Sequence, residues 1–238
     1  MGEKIPATSK KEVYTNLKAL SKSELNKRYK FRCVHSHNGI DHPRCFDQAN
    51  GLVEKIAFLD IEATDLTAPW GFVICYVLGD EQGNLIKRTI TLKDLYNAEF
   101  DKNLLAQFCE DIKPFNRIVG HYIGDRKFDI PMLRSRAEFW RLPFPLYKFH
   151  SITDTHLILK NKFRLKSNSL KSGCEFFGIG AKQHPIKTKY WNYLMTGNPK
   201  LMQEAIDYIL VHNIEDVEST KKLWDRIHKY IKLAQTSL

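Results

Sequence analysis

The chain has 238 residues, 43% of them apolar and 12% aromatic, which is enough to bury one substantial core, and at 27% charged residues it does not read as a disordered chain. No apolar run approaches the roughly 20 residues that span a bilayer, and MGEKIPATSK at the start carries no apolar signal stretch, so the expectation is a cytoplasmic or nuclear protein with no membrane partner. The net charge of +10 is uneven: residues 1–50 hold ten Lys or Arg against five Asp or Glu, and 155–203 hold nine against Glu175 alone, which points to a polyanion, most simply nucleic acid, over a merely soluble basic surface.

Residues 8–30 read as helical, with Leu17, Leu20 and Leu25 as the apolar stripe and Ser21 to Glu24 in the pattern of a capping box that opens a second short helix. The run FRCVHSHNGIDHPRCF follows, too rich in His and Cys and too poor in aliphatics to be core. Cys33, His37, His42 and Cys45 form Cys-x3-His-x4-His-x2-Cys, with His35 as an alternative ligand and Asn38-Gly39 supplying a tight turn. Thiolates with imidazoles select Zn²⁺, and four ligands close its shell, so one structural Zn²⁺ is expected to organise a loop that has few apolar residues of its own. The spacing is not a standard finger pattern, and a chance cluster of polar loop residues is the competing reading. Cys75, Cys109 and Cys174 lie in apolar periodic surroundings and read as buried thiols; an odd count of five cysteines argues against a disulfide framework.

After Gly51 the texture becomes that of an α/β domain, which sets the expected division at 1–50, a basic helical segment with the zinc loop, and 51–238. Residues 55–63 form a strand, and 72–78 and 84–91 pair as a hairpin across the Gly79 to Gly83 turn. Asp101 is placed to N-cap a helix running to about Lys113; 117–121 is a fourth strand, 130–141 a helix and 151–154 a short fifth strand. Asp154 reads as the cap of a helix starting at Thr155. The remainder is helical, with Asn198-Pro199 an N-cap and N1 pair. A mixed five-stranded sheet flanked by helices is the expected architecture.

In FLDIEAT, Asp60 and Glu62 stand two residues apart on an apolar strand and therefore on one face. Two such carboxylates repel each other and are costly to bury unless a cation lies between them, and hard Mg²⁺ or Mn²⁺ takes oxygen ligands. An edge strand with a wet polar face is the alternative. Asp129 opens a helix just after the fourth strand, in IVGHYIGDRKFDIPML. Asp216, in YILVHNIEDVEST, shares a helical face with His212 four residues earlier. Between them KNKFRLKSNSLK, residues 160–171, alternates cations with Phe163 and Leu165, and Lys182, Lys187 and Lys189 follow beside Tyr190 and Trp191. Phosphate contacts of this kind position a strand without reading its sequence; a solvated lysine face is the other reading.

Taken together these motifs resemble the DEDD exonucleases, with Asp60 and Glu62 in LDIEAT, Asp129 in KFDIP and Asp216 in HNIEDV at the four acidic positions, over residues 56–226. That family's fold is ribonuclease H-like, in keeping with the order β-β-β-α-β-α-β followed by helices. Within it the chain is most similar to predicted ribonuclease H-like exonuclease domains related to the proofreading domain of family B DNA polymerases, on KFDIPMLRSRA, SITDTH, SNSLKSGCEFFGIGAK and HNIEDVEST. The resemblance implies two Mg²⁺ or Mn²⁺ held by Asp60, Glu62, Asp129 and Asp216, His212 orienting or deprotonating the attacking water, and 3′-to-5′ exonuclease action on a single-stranded DNA or RNA end. Two departures stand out. His212 has the spacing of the Tyr-containing branch but is a His, with Tyr208 one turn further back, and Tyr122 stands where an Asn is frequent. A non-cleaving nucleic-acid-binding module and a structure-selective endonuclease are the rival readings; the intact acidic set argues against the first, and a requirement for a free end separates the second.

Overall fold

The computed structural model describes residues 20–33, 36–51, 54–68, 70–124, 127–145, 150–180 and 183–231. The first part of the helical stretch 8–30, His35 and Lys182 lie outside the described residues. The chain divides into two compact units, Met1–Glu54 with Leu146–Lys148 and Lys55–Pro145 with Phe149–Leu238.

In the smaller unit, α1 (Lys22–Lys30) starts at Ser21, whose hydroxyl accepts the Glu24 N–H at 3.2 Å. The Cys/His run is not all loop: Pro43–Ala49 forms a second helix, α2. Nor is it coreless, because Cys45 and Phe46 are buried. Phe46 meets Phe31 edge-on at 5.4 Å, and the Arg28 guanidinium lies 4.5 Å over its ring while pairing with Glu24 and Asp47. Two aromatic rings and an arginine guanidinium thus do the packing that aliphatic residues do elsewhere. A Cβ on Gly39 would stand 2.8 Å from the Phe46 ring, so only glycine fits under it.

The larger unit is built on five strands, β1 (Ile56–Ala63), β2 (Val73–Asp80), β3 (Leu85–Thr89), β4 (Arg117–Gly120) and β5 (Ser151–Asp154), in the order β3-β2-β1-β4-β5. β1 runs antiparallel to β2 and parallel to β4, which makes the sheet mixed, as expected. Its helices are α3 (Leu92–Tyr96), α4 (Lys102–Asp111), α5 (Asp129–Phe139), α6 (Thr155–Lys162), α7 (Leu170–Phe176), α8 (Thr188–Leu194) and α9 (Pro199–Ile227). Leu59, Ile61, Ile74 and Tyr76 pack with Phe108 of α4 and Leu133 of α5 in one cluster. Phe58, Val77 and Val119 pack with Val217, Leu223 and Trp224 of α9 in the other. At Gly79 of β2 a Cβ would come within 3.0 Å of Val217, so the missing side chain lets α9 lie close on the sheet.

Local chemistry sets several boundaries. The Asn198 side chain accepts from the N–H groups of Lys200 and Leu201 with Pro199 in the first turn, and Asp154 accepts from His156 N–H at the start of α6. α3, which the pattern did not show, is opened by a reciprocal Thr91–Asp94 capping box. Asp101 departs from expectation: it precedes α4, but its carboxylate does not cap. It is fully buried and accepts from Arg136 Nε and Nη2, Trp140 Nε1 and the Val73 N–H. A buried charge gains more from a forked guanidinium than from one helix N–H, and the tertiary partner wins. Cys75, Cys109 and Cys174 are buried as expected. Among the described residues no helix is long and apolar enough to cross a membrane.

Candidate active site

β1 lies between β2 and β4, and α9 packs across β1 and β2. Asp60 stands opposite Val77 and Glu62 opposite Cys75, so the period of the strand presents both carboxylates on one face. α9 carries His212, Asn213 and Asp216 as a buried polar patch between the apolar Ile209 and Val217. His212 Nε2 is 3.5 Å from Glu62 Oε1 and 3.5 Å from Asp216 Oδ2, and the ligand atoms of these three residues lie within 4.8 Å of one another. Asp60 joins through Asn213, whose Nδ2 donates to Asp60 Oδ2 at 2.7 Å. Asp129, first residue of α5, accepts the N–H of Ile61, the β1 residue between the two acids, at 3.3 Å. All five expected residues therefore gather around one short stretch of β1.

Burial pushes the Asp129 carboxyl up; hydrogen bonds from the Ile61 and Asp129 N–H groups oppose this, and the charges of Asp154 and Asp216 add to it, with the balance at about 8. A cluster that holds one of its own acids neutral fits a divalent cation, whose charge reverses the shift and whose preferred ligands are carboxylate oxygens. Opposite Glu62 on β2, burial and then the charges of Glu62 and Asp60 push the Cys75 thiol well above its ordinary range.

His212 Nδ1 donates to the His184 carbonyl at 2.6 Å. A carbonyl only accepts, so in the neutral ring the bare nitrogen is Nε2, the one that faces the acids. Tyr208 does not take the place of the Tyr of the related branch, because its hydroxyl donates to the Pro185 carbonyl at 2.8 Å. Asp154 Oδ1 accepts the N–H groups of both His156 and Tyr122 at 2.9 Å, so it caps α6 and also pins the β4 exit. Tyr122 is held there at φ 69°, a left-handed conformation that Asn adopts more readily than Tyr.

Asn213, His184 and Glu215 escaped the sequence reading. Asn213 had a usable signal, three residues before Asp216 on the same helical face; His184 had none, since it reaches His212 only through the tertiary fold. Along the basic stretch Lys160, Lys162, Arg164, Lys166 and Lys171 are exposed, while Phe163 and Leu165 pack against the second core cluster. Tyr190 is buried, with the Lys189 ammonium 4.6 Å over its ring.

In the smaller unit, Cys33 Sγ and Cys45 Sγ each lie 3.7 Å from His42 Nδ1, and Cys33, His37 and His42 place ligand atoms within 4.8 Å of one another. Zn–S and Zn–N bonds of about 2.3 and 2.0 Å at a tetrahedral angle set sulfur and nitrogen about 3.5 Å apart, so the cluster is compatible with a zinc site.

A family model, RNase_H_2 of the RNase H superfamily, matches residues 57–228. A family B DNA polymerase from the hyperthermophilic archaeon Pyrobaculum calidifontis superposes with a TM-score of 0.59 at 17% identity, over 75% of this chain and 25% of the polymerase. The chain thus spans about a quarter of that protein, and at this identity the likeness is one of fold. The apo form of a nuclease aligns at 15% identity over 74% of this chain and 76% of its own, with a TM-score of 0.39. No curated protein matches by sequence.

Proposed function

The chain belongs to the RNase H superfamily, and from that premise we propose that it is a divalent-metal-dependent nuclease acting as a 3′-to-5′ exonuclease on a single-stranded DNA or RNA end. The observation that carries this reading is the meeting of Glu62 and Asp216 at one imidazole nitrogen of His212, each at 3.5 Å. Asp60, Glu62, Asp129 and Asp216 hold two Mg²⁺ or Mn²⁺, which when bound supply a nucleophile at neutral pH and charge stabilisation for the leaving oxygen. His212 Nε2 accepts the proton of the attacking water, work to which imidazole is suited near neutrality. Asn213 keeps one oxygen of Asp60 engaged and so orients the other. The exposed cations from Lys160 to Lys171 contact backbone phosphates, which positions a strand of any sequence. The 3′-to-5′ direction rests on the resemblance of the acidic motifs to the DEDD exonucleases.

For the smaller unit the reading is one structural Zn²⁺ on Cys33, His37, His42 and Cys45, supported by the 3.7 Å spacing of both sulfurs from His42. Four protein ligands leave no open position, so this ion does no chemistry.

The test is to incubate 5′-labelled single- and double-stranded DNA and RNA with the protein and Mg²⁺, Mn²⁺ or chelator. Products that shorten stepwise from the 3′ end, only with an ion present, are expected. Internal cuts would replace the exonuclease with an endonuclease, and binding without products in either metal would overturn the nuclease.

A further inference from the structure

Tyr208, His212 and Glu215 follow one another at helical spacings of four and three, and so share one face of α9. Each grips the backbone of the same irregular segment, 183–185. Tyr208 Oη donates to the Pro185 carbonyl at 2.8 Å, and His212 Nδ1 donates to the His184 carbonyl at 2.6 Å. Glu215 Oε2 accepts the N–H groups of Gln183 at 3.0 Å and His184 at 2.9 Å, while its Oε1 bonds His184 Nδ1 at 2.6 Å. Tyr190 braces this face by stacking on Tyr208, with ring centroids 3.8 Å apart. A segment outside any helix or strand must satisfy its polar groups elsewhere, and here one helix face does it.

From this we infer that Glu215 and Tyr208 are positioning residues for His212: by holding 183–185 against α9 they hold the His184 carbonyl where it fixes the ring orientation and tautomer of His212. The inference rests on the proposed role of His212 as the proton acceptor. Neither residue touches the acidic cluster through its side chain; Glu215 is turned toward Gln183 and His184, and Tyr208 toward Pro185. Their action passes through one carbonyl. With it in place, Nδ1 carries the proton and Nε2 presents its lone pair between Glu62 and Asp216; without it, the ring is free to flip, which exchanges a nitrogen for a carbon at that point, or to take the other tautomer, which puts a hydrogen there. The same arrangement, in which a partner on the far nitrogen sets the near one, is how histidines are oriented at metal sites generally.

The experiment uses the full chain with Mg²⁺ and a labelled single-stranded oligonucleotide, and compares Glu215→Ala, Glu215→Gln, Tyr208→Phe, His212→Ala and the double variant Glu215→Ala/His212→Ala. Glu215→Ala is expected to lower kcat by about 10- to 100-fold with KM changed by no more than about threefold, as for a displaced catalytic group. Added to His212→Ala, the same change should cost nothing further, since both act through one ring. Glu215→Gln keeps an acceptor for the two backbone N–H groups and should recover most of the lost rate. Tyr208→Phe removes only the Pro185 bond and should lower kcat by about two- to fivefold, an effect of about one neutral hydrogen bond, and it carries the test if Glu215→Ala does not fold. Independently of activity, long-range ¹H–¹⁵N spectra of the metal-free protein should show His212 as the Nδ1–H tautomer, and a mixture in Glu215→Ala. An equal loss from Glu215→Ala with and without His212, or an unchanged kcat and tautomer in Glu215→Ala, overturns the inference. A wild-type rate for His212→Ala overturns the role given to His212 instead, and the tautomer spectra then decide the clamp alone.

Discussion

Cys33 and Cys45 belong to one short run of sequence, whereas Glu62 and Asp216 come from β1 and from α9, near opposite ends of the larger unit; yet each pair of side chains faces a histidine nitrogen at a similar distance, 3.7 Å for the sulfurs and 3.5 Å for the carboxylates. The first cluster needs only short chain closures, and among the described residues its unit is packed mainly by Phe31, Phe46 and the Arg28 guanidinium. An ion bound there would add folding energy. The second cluster is assembled by two hydrophobic clusters and a sheet, which hold the acids together against their own repulsion. An ion bound there would add chemistry, and relief from that repulsion.

This contrast can be broken in several ways. The largest effect is expected from Asp216→Asn or Asp60→Asn, each of which should lower the rate by about 10³-fold or more while leaving the melting temperature unchanged or higher, because a ligand is lost and a like charge removed. Turnover at the wild-type rate in either would detach the acids from the chemistry. His212→Ala should cost about 10² to 10⁴ in rate with divalent-ion affinity retained, measured by calorimetric titration of Mn²⁺.

The smaller unit should respond the other way. Protein prepared without chelators should contain about one zinc per chain, and Cys45→Ser should lose it together with protection of α1 and α2 from hydrogen exchange, while β1 and α9 keep theirs. Metal analysis that finds no zinc would return the run to a chance cluster. Binding of an oligonucleotide to the Asp60→Asn protein tests the basic stretch: replacing Lys162, Arg164 and Lys166 with Gln should flatten the log–log salt dependence by roughly 0.7 to 0.9 for each phosphate that is no longer neutralised. An unaltered slope would make that stretch a solvated surface.

The smallest effect is one of pH. Asp129 is held at about 8 in the fold against an ordinary 3.8, so the folded chain keeps a proton that the unfolded chain releases. Its contribution is most favourable below the ordinary value and is lost as pH rises toward and through the folded one. In chelator, the melting temperature should therefore fall between about pH 4 and pH 8 and level off above, and Asp129→Asn or added Mn²⁺ should flatten the decline. A rising curve in chelator would mean that the acids are already compensated within the protein.

Much of this was written locally. The two-residue period of a strand puts Asp60 and Glu62 on one face whatever sheet the strand joins, and the spacing of His212 and Asp216 puts them on one face of a helix. Asn198, Asp154 and Ser21 cap the helices that follow them, because a cap needs only a side chain and an N–H two or three residues away. The closeness of the Cys and His side chains was legible for the same reason, though the burial of Phe46 among them was not: composition counts aliphatics and does not show that a guanidinium will cover a ring.

What sequence by itself determined, then, are the faces: which side chains share one side of a strand or helix, and which caps and turns bound them, since these depend on backbone geometry over a few residues. Which faces meet was decided by the tertiary structure. Asp101 left its expected cap for Arg136 and Trp140 once α5 had packed beside α4, and His184 came to His212 only because 183–185 lies along α9. Glu62 and Asp216 share a histidine because β1 is the central strand and Gly79 lets α9 lie close upon it. Contacts between residues so far apart in the chain follow from the burial of whole apolar faces, a property of the assembled sheet and helices that no short stretch of sequence contains.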